Sequence, residues 1–103
     1  MDKADKRKTI QWLLKNGGNA SVFRNELQEM EDLKPHYYNY MKTAPINCDK
    51  ELERLPDADY ELCTALLTML LREDDKFGYD SFIRRCEAGQ VKKILERMLE
   101  LLK

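Results

Sequence analysis

Residues 57–72 carry apolar side chains all the way round a helix. Tyr60, Leu62, Cys63, Ala65, Leu66, Leu67, Met69, Leu70 and Leu71 are interrupted by only three polar residues, Glu61, Thr64 and Thr68. A helix without a solvated face has to be buried on most sides. The segment therefore predicts a central post against which the remaining helices pack. The fold class that follows is all-α, a compact bundle of five to six short helices around that post.

With 103 residues the chain suits a single helical domain, 1–103, large enough to bury a core without disulfides or metal. Residues 1–56 would supply N-terminal helices and a loop, and 57–103 the central and C-terminal helices. An apolar share of 43% with 36% charged residues fits short helices with solvated outer faces rather than disorder. Four glycines and three prolines leave little turn material for many strands, so no β-sheet is expected.

Lys6–Asn16 reads as a first helix, with Ile10, Leu13 and Leu14 inward and Trp12 beside them. Asn16-Gly17-Gly18-Asn19 stops it, because glycine takes the left-handed conformation that ends helices. Ser21 caps a second helix, whose stripe is Phe23, Leu27, Met30 and Leu33, and Pro35 ends it. His36–Met41 reads as a short third helix that lays tyrosine rings on the core with hydroxyls towards water. A loop around Pro45 follows, then a turn over Asp49–Leu55 with Leu52 and Leu55 inward.

Pro56-Asp57 opens the post, and Asp57, Asp59 and Glu61 suit the positive end of its dipole. Glu73, Asp74 and Asp75 lie at the far end, where the dipole disfavours anions. Phe77-Gly78-Tyr79 reads as a turn and Asp80 or Ser81 as the cap of a helix with Phe82, Ile83 and Cys86 inward. Gly89 closes that helix. The last one carries Val91, Ile94, Leu95, Met98 and Leu102, with Leu99 and Leu101 widening the stripe.

The run Cys63–Asp74, followed by Phe77, Phe82, Arg85, Gly89-Gln90-Val91 and Ile94–Met98, resembles a family of short bacterial proteins. That family is known as a domain of unknown function, and some members are associated with mobile genetic elements. The resemblance covers about residues 57–102. It implies a bacterial setting and accessory rather than metabolic work, and it carries no activity, cofactor or site residue.

Lys and Arg number 18 against 19 Asp and Glu, a net charge of −1, which argues against a chain built to wrap a polyanion. The charge is uneven: eight basic against six acidic residues in 1–44, ten against thirteen in 45–103. Three cysteines, Cys48, Cys63 and Cys86, form no Cys-x-x-Cys pair and suit a reducing compartment. No stretch has the apolar length of a membrane span, and Ile10–Leu14 is too short for a secretion signal. The expected location is the cytoplasm.

No set of residues points to catalysis, to a cofactor or to a metal. His36 is the single histidine and stands twelve residues from the nearest cysteine, too far for a closely spaced zinc pair. Glu73-Asp74-Asp75 lacks the alternation of a calcium loop and reads as a salt-bridge network with Arg72, Lys76, Arg84 and Arg85, or as an acidic rim for a partner. Tyr37, Tyr38 and Tyr40 cannot all face inward, so at least one is an exposed contact candidate, joined by Leu99 and Leu101. Ile10–Leu27 has the outline of a helix-turn-helix, with Lys3, Lys6, Arg7, Lys8 and Arg24 as nucleic-acid contacts. The expectation is a small non-enzymatic bacterial accessory domain acting through an unidentified protein partner or a homo-oligomer. The alternative is an accessory nucleic-acid-binding protein that uses the basic N-terminal hairpin.

Overall fold

The computed structural model describes residues 1–78 and 80–103. Six α-helices follow in order: α1 Lys3–Asn16, α2 Ala20–Glu29, α3 Cys48–Leu52, α4 Tyr60–Phe77, α5 Ser81–Glu87 and α6 Gln90–Leu101. Two 3-10 turns, Tyr37–Tyr40 and Leu55–Asp57, flank α3. Helices hold 72% of the chain and no strand occurs among the described residues, so the fold is all-α. None of these helices is long and apolar enough to cross a membrane.

The post is α4. Nine consecutive residues, Cys63 to Leu71, are buried, which leaves that stretch without a wet side. Its two buried hydroxyls satisfy themselves on its own backbone: Thr64 donates to the Glu61 carbonyl and Thr68 to the Thr64 carbonyl. Thr68 Oγ1 also accepts the Lys34 N–H at 3.1 Å, which ties the incoming loop to the post. Helices α2, α3, α5 and α6 and the Tyr37–Tyr40 turn pack around α4, while α1 packs on α6. The post differs from the predicted 57–72 at both ends. Leu55–Asp57 makes a separate turn, Asp59 takes the cap by accepting the Leu62 N–H, and the helix runs on past Arg72 to Phe77.

Helix α1 begins a turn earlier than the predicted Lys6, because Asp2 accepts the Asp5 N–H at 2.9 Å. Ile10 and Leu13 are buried as expected, but Trp12 points out and is 47% exposed. In α2 the cap is Asn19, which accepts the Val22 N–H, and Ser21 lies inside the helix. Pro35 does not end α2. Glu31 does, at φ 62°, with its own N–H on Gln28 and the Asp32 N–H on Leu27, the two bonds of a Schellman motif. The segment read as a third helix is the 3-10 turn alone.

The glycine pair after α1 works differently from its predicted left-handed role. Gly17 has φ −73° and ψ 150°, ordinary extended backbone. What it supplies is room: a Cβ there would stand 2.6 Å from both the Leu13 carbonyl oxygen and Phe23 Cε2. The Phe23 ring is buried and meets Phe82 edge-on, centroids 4.9 Å apart, and the Leu13 carbonyl is fixed in the backbone of α1. At the far end of α4, Gly78 has φ 64° and Asp80 φ 63°, and Gly89 at φ 82° joins α5 to α6. Tyr79, read as part of the preceding turn, lies outside the described residues.

Helix α6 follows its predicted stripe, with Val91, Ile94, Leu95 and Met98 buried. The two neighbouring glycines give opposite predictions. Gly17→Ala should destabilise the fold by about 1–3 kcal/mol through overpacking. Gly18→Ala meets nothing within 4 Å among the described residues and has no positive φ. It should stabilise by about 0.4–1 kcal/mol through the unfolded state. Urea unfolding of the two variants checks the pair.

Candidate functional site

The segment between the Tyr37–Tyr40 turn and α3 is organised by one carboxylate that the sequence reading passes over. Leu52 and Leu55 are half-buried, but the side chain fully buried at this turn is Glu51. Its Oε2 accepts the Lys42 N–H at 3.0 Å, the Thr43 N–H at 2.7 Å and the Thr43 hydroxyl. Its Oε1 accepts from Arg54 at 2.7 Å, and Arg54 Nη1 also donates to the Tyr40 carbonyl. Burial alone would raise the Glu51 pKa. The bonds from Thr43, Arg54 and Lys42 outweigh it and hold the group at about 2. A charged clasp thus fixes the Pro45 loop against α3.

That loop forms one wall of a cleft of about 200 Å³. Tyr37, Pro45 and Ile46 line one side, Met69, Glu73 and Phe77 of α4 the other, with Arg72 and Lys76 at its mouth. One exposed aromatic, Phe77, lines the cleft, and a second, Tyr38, packs on its lining residue Tyr37. Phe77 is 63% exposed with the Lys76 ammonium 5.5 Å from its ring centroid, and Tyr38 is 52% exposed. Tyr38 leans edge-on against Tyr37, centroids 5.7 Å apart, and its hydroxyl meets His36 Nδ1 at 2.8 Å. Tyr40 is 37% exposed. Of the predicted contact residues, Tyr37 and Glu73 come together in this cleft and Tyr38 adjoins it. Leu99 and Leu101 are half-buried against the core on α6 and do not line it. Phe77 is the residue the sequence reading treats only as part of a turn.

The acidic run is bound into the chain residue by residue. Arg85 grips Glu73 with two nitrogens, Nε at 3.0 Å and Nη2 at 2.8 Å, while its Nη1 reaches Asp49 and Gln90. One guanidinium thereby joins α5 to α3, α4 and α6. Burial raises the Glu73 pKa, and the Arg85 bonds more than offset it, so the group sits below its ordinary value. Asp74 Oδ1 accepts the Phe82 N–H at 2.9 Å and so caps α5 from the end of α4. Asp80, in the N-cap position, makes no side-chain cap bond among the described residues, and the Ser81 hydroxyl donates to Glu73 instead. Asp75 pairs with Arg24 at 2.6 Å and Arg72 at 3.4 Å. The three anions at the end of α4 thus answer the positive end of α5 and three cations, Arg85, Arg24 and Arg72.

The basic set is similarly engaged. Lys6 donates to the buried Asp32 at 3.1 Å, which also accepts the Tyr60 hydroxyl at 2.6 Å. Arg7 donates to the Leu99 carbonyl at 2.9 Å, and Arg24 is held by Asp75. Lys3 and Lys8 are the exposed members. All three cysteines are free thiols. Burial, with Glu73 beside it, pushes Cys48 up to about 12, and burial pushes Cys63 and Cys86 up to about 11.

Because the folded-state pKa of Glu51 lies below its ordinary 4.5, its contribution is complete above about pH 4.5 and drains away as the pH falls towards 2. Acid unfolding should show this loss in the wild type and not in Glu51→Gln, and Glu51→Ala should cost about 2–4 kcal/mol at pH 7. Asp74→Ala should cost about 0.5–2 kcal/mol by uncapping α5. Amide exchange at Phe82, read by NMR, should accelerate in that variant, and an unchanged Phe82 rate would contradict the cap.

Comparison with protein-family models, with curated proteins and with solved structures finds no match to this chain.

Proposed function

We propose that this chain is a protein-contact domain without a reaction of its own, and that it docks a partner at the cleft between the Pro45 loop and the end of α4. The observation that carries the reading is a pair of exposed aromatic side chains, Phe77 in the cleft lining at 63% and Tyr38, packed on the lining residue Tyr37, at 52% exposure. Large rings held in water beside a formed recess are the kind of side chain that dominates interface energetics. Arg72 and Lys76 at the mouth favour a partner that brings an apolar side chain flanked by carboxylates. The Glu51 clasp supports the same reading, because a fixed loop loses little freedom on binding.

Two further features are consistent with a contact role. The cysteine thiols stay protonated at neutral pH, which makes them poor nucleophiles. Lys6, Arg7 and Arg24 are committed within the chain, so little of the N-terminal basic set is free for phosphates. Three free thiols fit a reducing cytoplasm, and the family resemblance of residues 57–102 fits a bacterial accessory role.

The test is affinity capture from the native host with wild-type and Phe77→Ala/Tyr38→Ala bait. Both positions are exposed, so the variant should keep its stability within about 0.5 kcal/mol. Capture of the partner should fall about tenfold or more, the effect of one hot-spot aromatic. Equal capture by the two baits would refute the cleft as the docking surface.

A further inference from the structure

A second surface, distinct from the cleft, lies between α6 and the segment 52–56. Leu52, Leu55 and Pro56 form its apolar side, and Glu53, Glu96 and Glu100 stand around it, enclosing about 520 Å³. The groove continues into a recess of about 210 Å³ that shares Leu52, Glu53, Leu55 and Lys93. Its charges are mostly uncompensated. Among the described residues Glu53 and Glu96 make no ion pair, and Glu100 lies 3.8 Å from Arg97. Arg97 is itself drawn inward, its Nε donating to the Ala58 carbonyl at 3.0 Å. Lys93 is left as the outward cation.

The chain carries a matching ridge on the opposite kind of surface. Asp5, Lys8, Trp12 and Lys15 are all exposed on α1, and at about 100° per residue they fall within roughly a quarter of the helix circumference. Trp12 is the only tryptophan and is 47% exposed, with a lysine one turn away on each side. Neither Lys8 nor Lys15 has an ion-pair partner among the described residues. Ile10 and Leu13 hold the inner face of α1 in the core, so the ridge points away and cannot fill its own groove.

We propose that a second copy of this chain seats the Trp12 ridge of its α1 in the groove beside α6, so that copies associate head to tail. Charge complementarity decides the occupant: Lys8 and Lys15 face Glu53 and Glu96, Asp5 is available to Lys93, and the indole covers Leu52, Leu55 and Pro56. The interface is heterologous, each chain offering one ridge and one groove. This assembly does not depend on the cleft reading, and Phe77→Ala/Tyr38→Ala leaves it intact.

Complementation tests it. Sedimentation equilibrium of the wild type from micromolar to millimolar should show mass rising with concentration, the Trp12 emission moving to the blue, and both effects weakening with salt. Trp12→Ala should stay monomeric. Glu53→Lys/Glu96→Lys, at two exposed positions, should also stay monomeric. Mixed together, they should form a 1:1 complex of twice the chain mass, because one retains the groove and the other the ridge. Should either variant lose its helical circular dichroism, Lys8→Glu/Lys15→Glu takes the place of the first and Leu55→Gln that of the second. A wild type that stays monomeric throughout, a ridge variant that associates like the wild type, or folded variants that fail to complement would each overturn the proposal.

Discussion

Removing nine consecutive residues of α4 from water demands neighbours on every side of one rod. Helices α2, α3, α5 and α6 and the tyrosine turn meet that demand, and α1 closes over α6. Each of these elements is short, and α5 spans only Ser81–Glu87. Helices of such length are not stable by themselves in water, so their structure comes from the apolar surface that α4 offers them. The two threonines on α4 donate their hydroxyls to the helix's own backbone, and Thr68 takes one polar partner from outside, the Lys34 N–H.

With the interior assigned to α4, polar side chains hold the outer elements in register. Arg85 draws α3, α4, α5 and α6 to a single point, Asp32 joins α1 to α4 through Lys6 and Tyr60, and Asp75 joins α2 to α4 through Arg24. Glu51 does the same for the Pro45 loop. Asp32, Glu51 and Glu73 are largely or wholly withdrawn from solvent and accept two or more bonds each, the circumstance in which charged hydrogen bonds count most, while Asp75 is exposed. The result is a fixed frame on which the exposed rings of Phe77, Tyr38 and Trp12 stand out.

Apolar periodicity was enough to foresee the post and the stripe of α6, because burial acts directly on the residues that show it. Local stops were harder. Asn19 and Ser21 are equally good caps by type, and local chemistry does not choose between them; the fold takes Asn19, whose side chain accepts the Val22 N–H. Pro35 is the conspicuous helix breaker, yet Glu31 ends α2 earlier because a Schellman turn there places Asp32 beneath Lys6 and Tyr60. Gly17 announces itself as a glycine, but its reason is the Phe23 ring, which no local rule contains. Glu51 left a trace: it falls on the same side as Cys48, Leu52 and Leu55, where a carboxylate is out of place unless something binds it. The partners of Glu73, Asp74 and Asp75 had a nearby component in Arg85 and Phe82. Arg24 was too distant in sequence to be paired by inspection, and the cleft needed the folded position of the Pro45 loop.

The loan of Asp74 to α5 also bears on where this polypeptide can be interrupted. A short connection between two helices is ordinarily a tolerant place for a new terminus or an inserted sequence. Here the first turn of one helix is completed by a side chain from the last turn of its predecessor, and Ser81 reaches back to Glu73 in the same way. Severing the backbone there would set free the two halves of a single hydrogen-bonded unit. The loop around Gly18, whose α-carbon faces open space among the described residues, is the better place to admit a graft or relocate the ends of the chain.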